Sequence, residues 1–260
     1  MSKSFSVASW NVNSLKVRLP HVLAWLHEHP VDVLGLQETK LTDDKFPHEE
    51  LQQAGYHAVC SGQPTYNGVA LLSKTAPTDV LLEPPDLADE QRRIIAASYG
   101  DVRVINLYVV NGKAVDDDKY HYKLDWLQRI ERWIDSELKQ HDKLIVMGDF
   151  NIAPGDDDVH DPEAWHERIL CSTAERERLR SMLSLGLQDT FRLFPRADKA
   201  FSWWDYRQAA FRRDLGLRID LVLASNALAE NCLSSDIDKA PRKLERPSDH
   251  APVVATFSVD

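Results

Sequence analysis

The chain has 260 residues, 43% of them hydrophobic and 28% charged, with a formal net charge of −10 at pH 7. That is ample apolar material for one core, and no repeat, low-complexity tract or Pro/Gly/Ser-rich linker divides it, so residues 1–260 read as a single domain. No stretch approaches the roughly 20 apolar residues of a membrane helix, and Asn11 arrives before a signal-peptide core could form, which argues against membrane and secreted classes.

Taken in chain order, short apolar runs predict buried strands at Phe5–Trp10, Val31–Leu36, Val69–Leu72, Val102–Val110, Leu144–Met147, Ile219–Ala224 and Val253–Phe257. Helical patterns fall between them. Leu19, Val22, Leu23 and Leu26 follow the i, i+3, i+4, i+7 rule. A longer helix is expected over Tyr120 to Lys139, with Trp126, Ile130, Trp133 and Leu138 toward the core. Another is expected over Thr173 to Leu185, capped by Ser172 or Thr173 and closed by Gly186. Mixed strands and helices of this kind indicate an α/β layered fold.

Cys60, Cys171 and Cys232 are odd in number and lack metal-site spacing, so they read as ordinary thiols of a cytoplasmic protein. The acidic balance argues superficially against nucleic acid as a partner, since phosphate binding wants Lys and Arg. A carboxylate-rich metal site can coexist with a local basic face, however. Basic residues gather at Arg92-Arg93, Lys119 to Lys123, Arg212-Arg213 with Arg218, and Arg242 to Arg246; each alone reads as solvated surface.

The informative residues are polar ones at strand ends. The first strand runs into Asn11 and Asn13, the second into Gln37-Glu38, and LIVMG into Asp149 and Asn151. Asp220 lies inside an apolar run, and Ser248-Asp249-His250 precedes the last strand. Singly, each reads as a turn former or helix cap. Asp220 resists that reading, because a carboxylate between Ile219 and Leu221 is costly to bury without a partner or metal. Together they suit phosphodiester hydrolysis: Glu38 to hold magnesium, Asp149 to orient or deprotonate water, and Asn11, Asn151 and His250 to donate to phosphoryl oxygens. Asp249 is placed to orient His250. Zinc is disfavoured, since no His/Cys cluster accompanies the carboxylates.

The segments SWNVNSLKVR, VLGLQETK, NGVALLSK, QRRII, INLYVVNG, MGDFNIAP, FSWWDYR, GLRIDLVLAS and PSDHAPV span nearly the whole chain in order. On them it resembles the exonuclease III-type AP endonucleases of the endonuclease/exonuclease/phosphatase superfamily. The resemblance implies a four-layered α/β sandwich, two mixed β-sheets flanked by helices, with the active site where loops converge at the sheet edges. It implies Glu38, Asn11, Asp149, Asn151 and Asp249 around Mg2+, with Mn2+ as the alternative ion. It also implies catalytic roles for Asp149, His250, Tyr108, Asn151, Asp220 and Asp249.

Two features depart from the family pattern. Tyr108 is followed by Val109-Val110 where the family commonly has proline, and the acidic segment from Asp156 to Leu170 bears His160 and His166. Within the superfamily, FSWWDYR points to DNA, because aromatic side chains can enclose a flipped-out abasic sugar. Trp203 or Trp204, with Phe201 and Leu217, are the candidate sugar contacts, and Arg92 and Arg218 the candidate phosphate contacts. The expected substrate is double-stranded DNA with abasic sites or 3′-blocked ends, cut 5′ to the abasic site by a monomer, with 3′→5′ exonuclease and 3′-phosphatase activities also implied. The rivals are a phospholipid or inositol phosphate phosphoesterase and a catalytically dead DNA-binding scaffold; intact Glu38, Asp149, Asp220, Asp249 and His250 argue against the second.

Overall fold

A computed structural model describes residues 3–85, 87–196 and 199–259, and these form two six-stranded sheets. The first runs in the order β11 (Cys232–Ile237), β12 (Val253–Ser258), β1 (Ser4–Asn11), β2 (Val33–Gln37), β4 (Val69–Ser73), β3 (His57–Ser61). The second runs β5 (Thr78–Leu81), β6 (Ile94–Tyr99), β7 (Val102–Tyr108), β8 (Lys143–Asp149), β10 (Asp220–Ser225), β9 (Leu187–Asp189).

Every residue of β2, β4 and β6 is buried, as expected of strands covered on both faces. Val7, Val33, Val69 and Leu71 of the first sheet meet Ile95, Val104, Ile145, Met147 and Val222 of the second in the inner layer. On the outer side of the first sheet, α1 (Leu15–Glu28) lays Trp25 and Leu26 against Trp10, Leu34 and Leu36. On the outer side of the second, α3 (Asp118–Leu138) and α5 (Thr173–Ser184) cover Ile105, Leu107, Leu144 and Val146 with Trp126, Ile130, Leu179 and Met182. Three shorter α-helices, α2 (His48–Gln53), α4 (Pro162–Trp165) and α6 (Asn226–Ala229), lie between these elements. This is the expected four-layered α/β sandwich.

The expected helices sit where the pattern puts them. Asp117 caps α3, its side chain accepting from the Lys119 amide. Ser172 is the N-cap of α5, in a reciprocal capping box with Glu175, and Gly186 follows the helix at φ 109°. The strands that periodicity does not pick out are β3, β5, β6, β9 and β11. Four of these are sheet edges with polar or exposed positions that blur alternation, and β9 is only three residues long. β6 carries Ala96, Ala97 and Ser98 at its centre, too small to mark an apolar run.

Topology gathers the polar strand ends. Each sheet has a central parallel pair, β1 with β2 and β7 with β8, flanked by antiparallel neighbours. The C-terminal ends of all four parallel strands therefore lie at one edge of the sandwich, carrying Asn11, Gln37-Glu38, Tyr108 and Asp149. Antiparallel β10 begins at that edge, with Asp220 opposite Asp149. The strand needs glycine just before Asp149: Gly148 has φ 151°, and a Cβ there would stand 1.9 Å from the Leu107 carbonyl oxygen.

A buried polar layer ties the two sheets together just beneath that edge. Asn106 of β7 donates through Nδ2 to the carbonyls of Leu36 in β2 and Ala70 in β4, at 2.9 Å each. Gln37 donates to Asn106 Oδ1 at 2.6 Å and to Ser9 Oγ at 3.0 Å. All three side chains are buried, so each lost partner carries a full desolvation penalty. Replacing Asn106 by leucine should cost about 2–4 kcal/mol in urea unfolding, as one donor group and one acceptor vanish from a dry interface; a loss below about 0.5 kcal/mol would refute the role given to this layer.

Candidate active site

Glu38 and Asp149 come from different sheets and face each other across Asn11. The Asn11 amide Nδ2 donates to Glu38 Oε1 and to Asp149 Oδ2, both at 2.9 Å. Its Oδ1 accepts the Asn13 backbone N–H at 3.0 Å. Asn11 thus turns donors, not an oxygen, toward the carboxylates, and it holds the two acids together where sequence reasoning expected a metal ligand.

Glu38 is further bound by Tyr108, whose hydroxyl donates to Oε1 at 2.9 Å, and by Lys40, whose ammonium lies 3.0 Å from Oε2. Burial pushes the Glu38 carboxyl up, but Lys40 and the Asn11 amide outweigh it and hold the group below its usual range, so it stays ionised. Burial, then the charges of Glu38 and Asp149, push the Tyr108 phenol well above its ordinary value. Tyr108 is therefore a hydrogen-bond donor in this arrangement.

Asp149 is 1% exposed. Its Oδ1 accepts the Asn151 backbone N–H at 2.9 Å, and the Asn151 side chain reaches Oδ2 at 3.3 Å and the Val109 carbonyl at 3.0 Å. Asn111 in turn donates to Asn151 Oδ1 at 3.1 Å. Burial, with further pushes from Asp220 and Glu38 against the pull of His250 and Asn11, raises the Asp149 carboxyl to about 7.

His250 closes the far side. Its Nε2 lies 3.8 Å from Asp149 Oδ2, while Nδ1 meets Asp220 at 2.9 and 3.1 Å. Ser202 fixes Asp220, donating to Oδ2 at 2.6 Å while its own oxygen accepts the N–H groups of Ile219 and Asp220 at 3.0 Å. Burial lowers the imidazole, but Asp220 and Asp149 more than reverse this and push it up to about 10. A charged imidazole suits a phosphate better than a metal.

Donor atoms of Glu38, Asp149 and His250 lie within 4.8 Å of one another. The donor set fits a hard divalent cation, since two carboxylates converge there with oxygen atoms to offer. With the imidazole charged, Glu38 and Asp149 are the groups that would hold such an ion.

Several sequence expectations need correction. Asp249 does not orient His250, because Asp220 does; Asp249 instead accepts from Asn13 Nδ2 and Trp203 Nε1, at 3.0 Å each, and stands outside the metal-competent trio. Arg218 cannot be a phosphate contact. It is 1% exposed and locked to Asp158 at 2.6 Å and to both oxygens of Asp189 at 3.1 and 2.6 Å. Arg92 is exposed, with its backbone bound to Gln63, while its neighbour Arg93 lies over the Tyr108 ring, 4.8 Å from the centroid. The two neighbours thus point to different surroundings just before β6 begins at Ile94.

The two tryptophans also part company. Trp203 is half-buried, pairs its backbone with Leu217 and His250, and sets its ring 6.5 Å from the imidazole. Trp204 is fully buried, edge-on to Phe211 at 5.0 Å with its indole N–H on Asp214. Leu217 and Phe201 are core residues, Leu217 packing behind Trp203. Beyond Trp203 opens a cavity of about 410 Å³ lined by His160, Trp165, Arg168, Arg207 and Leu215 among others. Sequence reasoning passed over Lys40, Asn111 and Ser202, and read Arg93 as solvated surface. All four lay within or beside the quoted motifs, but only contact geometry distinguishes them from their neighbours.

Residues 8–250 match the endonuclease/exonuclease/phosphatase family. Exodeoxyribonuclease III of Haemophilus influenzae is 38% identical over 96% of this chain and 98% of its own length. Among solved structures, a 3′ phosphatase from Neisseria bound to a product DNA hairpin is 49% identical, with a TM-score of 0.96 over 98% of this chain and all of that one. An AP endonuclease from Archaeoglobus fulgidus is 37% identical, with a TM-score of 0.94 over 98% of this chain and all of that one. Likeness of this extent, carried through both sheets and the strand ends that bear the site, places the chain in the endonuclease/exonuclease/phosphatase family.

Proposed function

We propose that this protein is a magnesium-dependent hydrolase of the DNA backbone that incises duplexes 5′ to abasic sites and also clears 3′ ends. The observation that carries the reading is the facing of Glu38 and Asp149 across Asn11, with the charged His250–Asp220 pair beside them. When bound there, Mg2+ would supply Lewis-acid polarisation of a phosphoryl oxygen. Mn2+ meets the same oxygen donors and is the natural substitute.

The remaining chemistry belongs to the side chains. His250 Nε2–H can donate to a non-bridging phosphoryl oxygen, as can the Tyr108 hydroxyl once it turns from Glu38 Oε1, stabilising charge that builds in the transition state. Asp149, held at both oxygens by Asn151 and Asn11, orients the attacking water and takes its proton. Water oxygen bonds to phosphorus as the bond to the 3′ oxygen breaks, with inversion, and the departing 3′ oxygen takes a proton from solvent water. A 3′-hydroxyl and a 5′-phosphate remain. For a 3′-phosphate end the same attack releases inorganic phosphate.

Selection among phosphoesters falls to Trp203 and the cavity beyond it, an aromatic wall for a sugar that has left the helix. A second reading, that 3′-end processing outruns abasic incision, is favoured by the 3′ phosphatase with which this chain shares 49% identity. Unpaired Cys60, Cys171 and Cys232 accord with a cytoplasmic enzyme, working as a monomer on damaged double-stranded DNA.

A duplex with one abasic-site analogue, run beside a nicked duplex bearing a 3′-phosphate and a blunt duplex, separates the readings. Magnesium should support incision leaving a 3′-hydroxyl, and chelation should abolish it. Faster release of phosphate from the nick would favour end processing, and no turnover of any DNA would sink the proposal. Asp149→Asn should lower kcat by on the order of a thousandfold, with DNA affinity nearly unchanged; near-normal turnover would remove Asp149 from the role of proton acceptor.

A further inference from the structure

Lys123 belongs to the basic run 119–123 that reads as solvated surface. Its ammonium is instead fully buried. Lys123 lies on α3 with 0% of its side chain exposed, and its ion-pair partner Glu175, in the first turn of α5, is equally hidden. Removing two charges from water costs several kcal/mol per ion, and apolar side chains of similar volume would often serve stability as well. The contacts of the pair point elsewhere.

Besides Glu175, the ammonium donates to the backbone carbonyl of Asn151 at 2.7 Å and to that of Asn111 at 3.2 Å. These are the two asparagines whose side chains meet beside Asp149. Asn151 holds φ at 49°, a left-handed conformation that costs a non-glycine residue about 1–3 kcal/mol and persists only where neighbours enforce it. Glu175 cannot swing away, because Leu170 N and both Ser172 N and Oγ donate to its oxygens at 3.1, 3.1 and 2.6 Å. Gly112, with φ 89°, lets the chain after Asn111 wrap closely: a Cβ there would stand 3.1 Å from Lys123 Cδ.

We infer that Lys123, braced by Glu175, is a positioning residue that pins the Asn111 and Asn151 carbonyls from behind and so sets the attack geometry at Asp149. It touches no reacting atom. The inference rests on the proposed hydrolysis for the reaction it serves.

The test is the double variant Lys123→Met/Glu175→Gln, which removes both buried charges while the glutamine carbonyl keeps an acceptor for the capping box. Thermal unfolding near the wild-type midpoint is expected, with kcat on DNA down about tenfold to a hundredfold and KM within about twofold. Hydrogen exchange read without substrate should speed up selectively in peptides covering 109–113 and 150–153. A folded variant with wild-type kcat and unchanged exchange overturns the inference. So does a loss carried by KM, or a double variant that fails to fold, since the pair would then serve binding or the fold. Should the wild-type protein turn over no DNA, the proposed function falls, while exchange still decides whether the clamp exists.

Discussion

Two carboxylates from opposite sheets approach closely enough to share the amide of Asn11. Like charges so placed repel strongly where water is excluded, and the surroundings answer that repulsion. Lys40 and Tyr108 bind Glu38, His250 stands against Asp149, and Asp220 keeps the imidazole charged. The sandwich at this edge brings Glu38 and Asp149 together with their oxygen atoms facing one small volume. A divalent cation and a phosphate complete the balance.

The backbone carries part of the strain. Glu38 and Asn151, each just past the end of a central strand, hold φ at 51° and 49°. Such conformations turn a side chain out of the strand direction and across the sheet edge, and they cost free energy that the packed sheets beneath must offset. The Asn106–Gln37–Ser9 layer lies one or two residues before Tyr108, Glu38 and Asn11, so the register of the two sheets is set directly below the residues that must meet. Stability of the fold and precision of the site are coupled there.

Much of this was legible in the chain. Apolar runs ending abruptly in Asn11, Glu38 and Asp149, and one opening around Asp220, marked strand ends, and strand ends at one edge are where such residues can cooperate. The motifs placed the family and the fold. What stayed hidden depends on contacts between residues far apart in sequence. Asp220 reaches His250 across 30 residues, and Arg218 is neutralised by Asp158 and Asp189, 60 and 29 residues away. Neither pairing has a local signature, so Asp249 looked like the imidazole's partner and Arg218 like a free cation. Lys123 was hidden for the same reason: charge in a sequence says nothing of depth. Edge strands such as β11 escaped because one side of each faces water and breaks the alternation.

The central claim is that Glu38 and Asp149 jointly hold a divalent cation, and it is tested most directly by binding rather than turnover. Titration of Mn2+ into the DNA-free protein, followed by calorimetry or electron paramagnetic resonance, should find a site that Glu38→Gln weakens on the order of tenfold or more, with the fold intact. Unchanged Mn2+ affinity in folded Glu38→Gln would contradict the account, because the acid that Asn11, Tyr108 and Lys40 hold in place would then have no ion to serve.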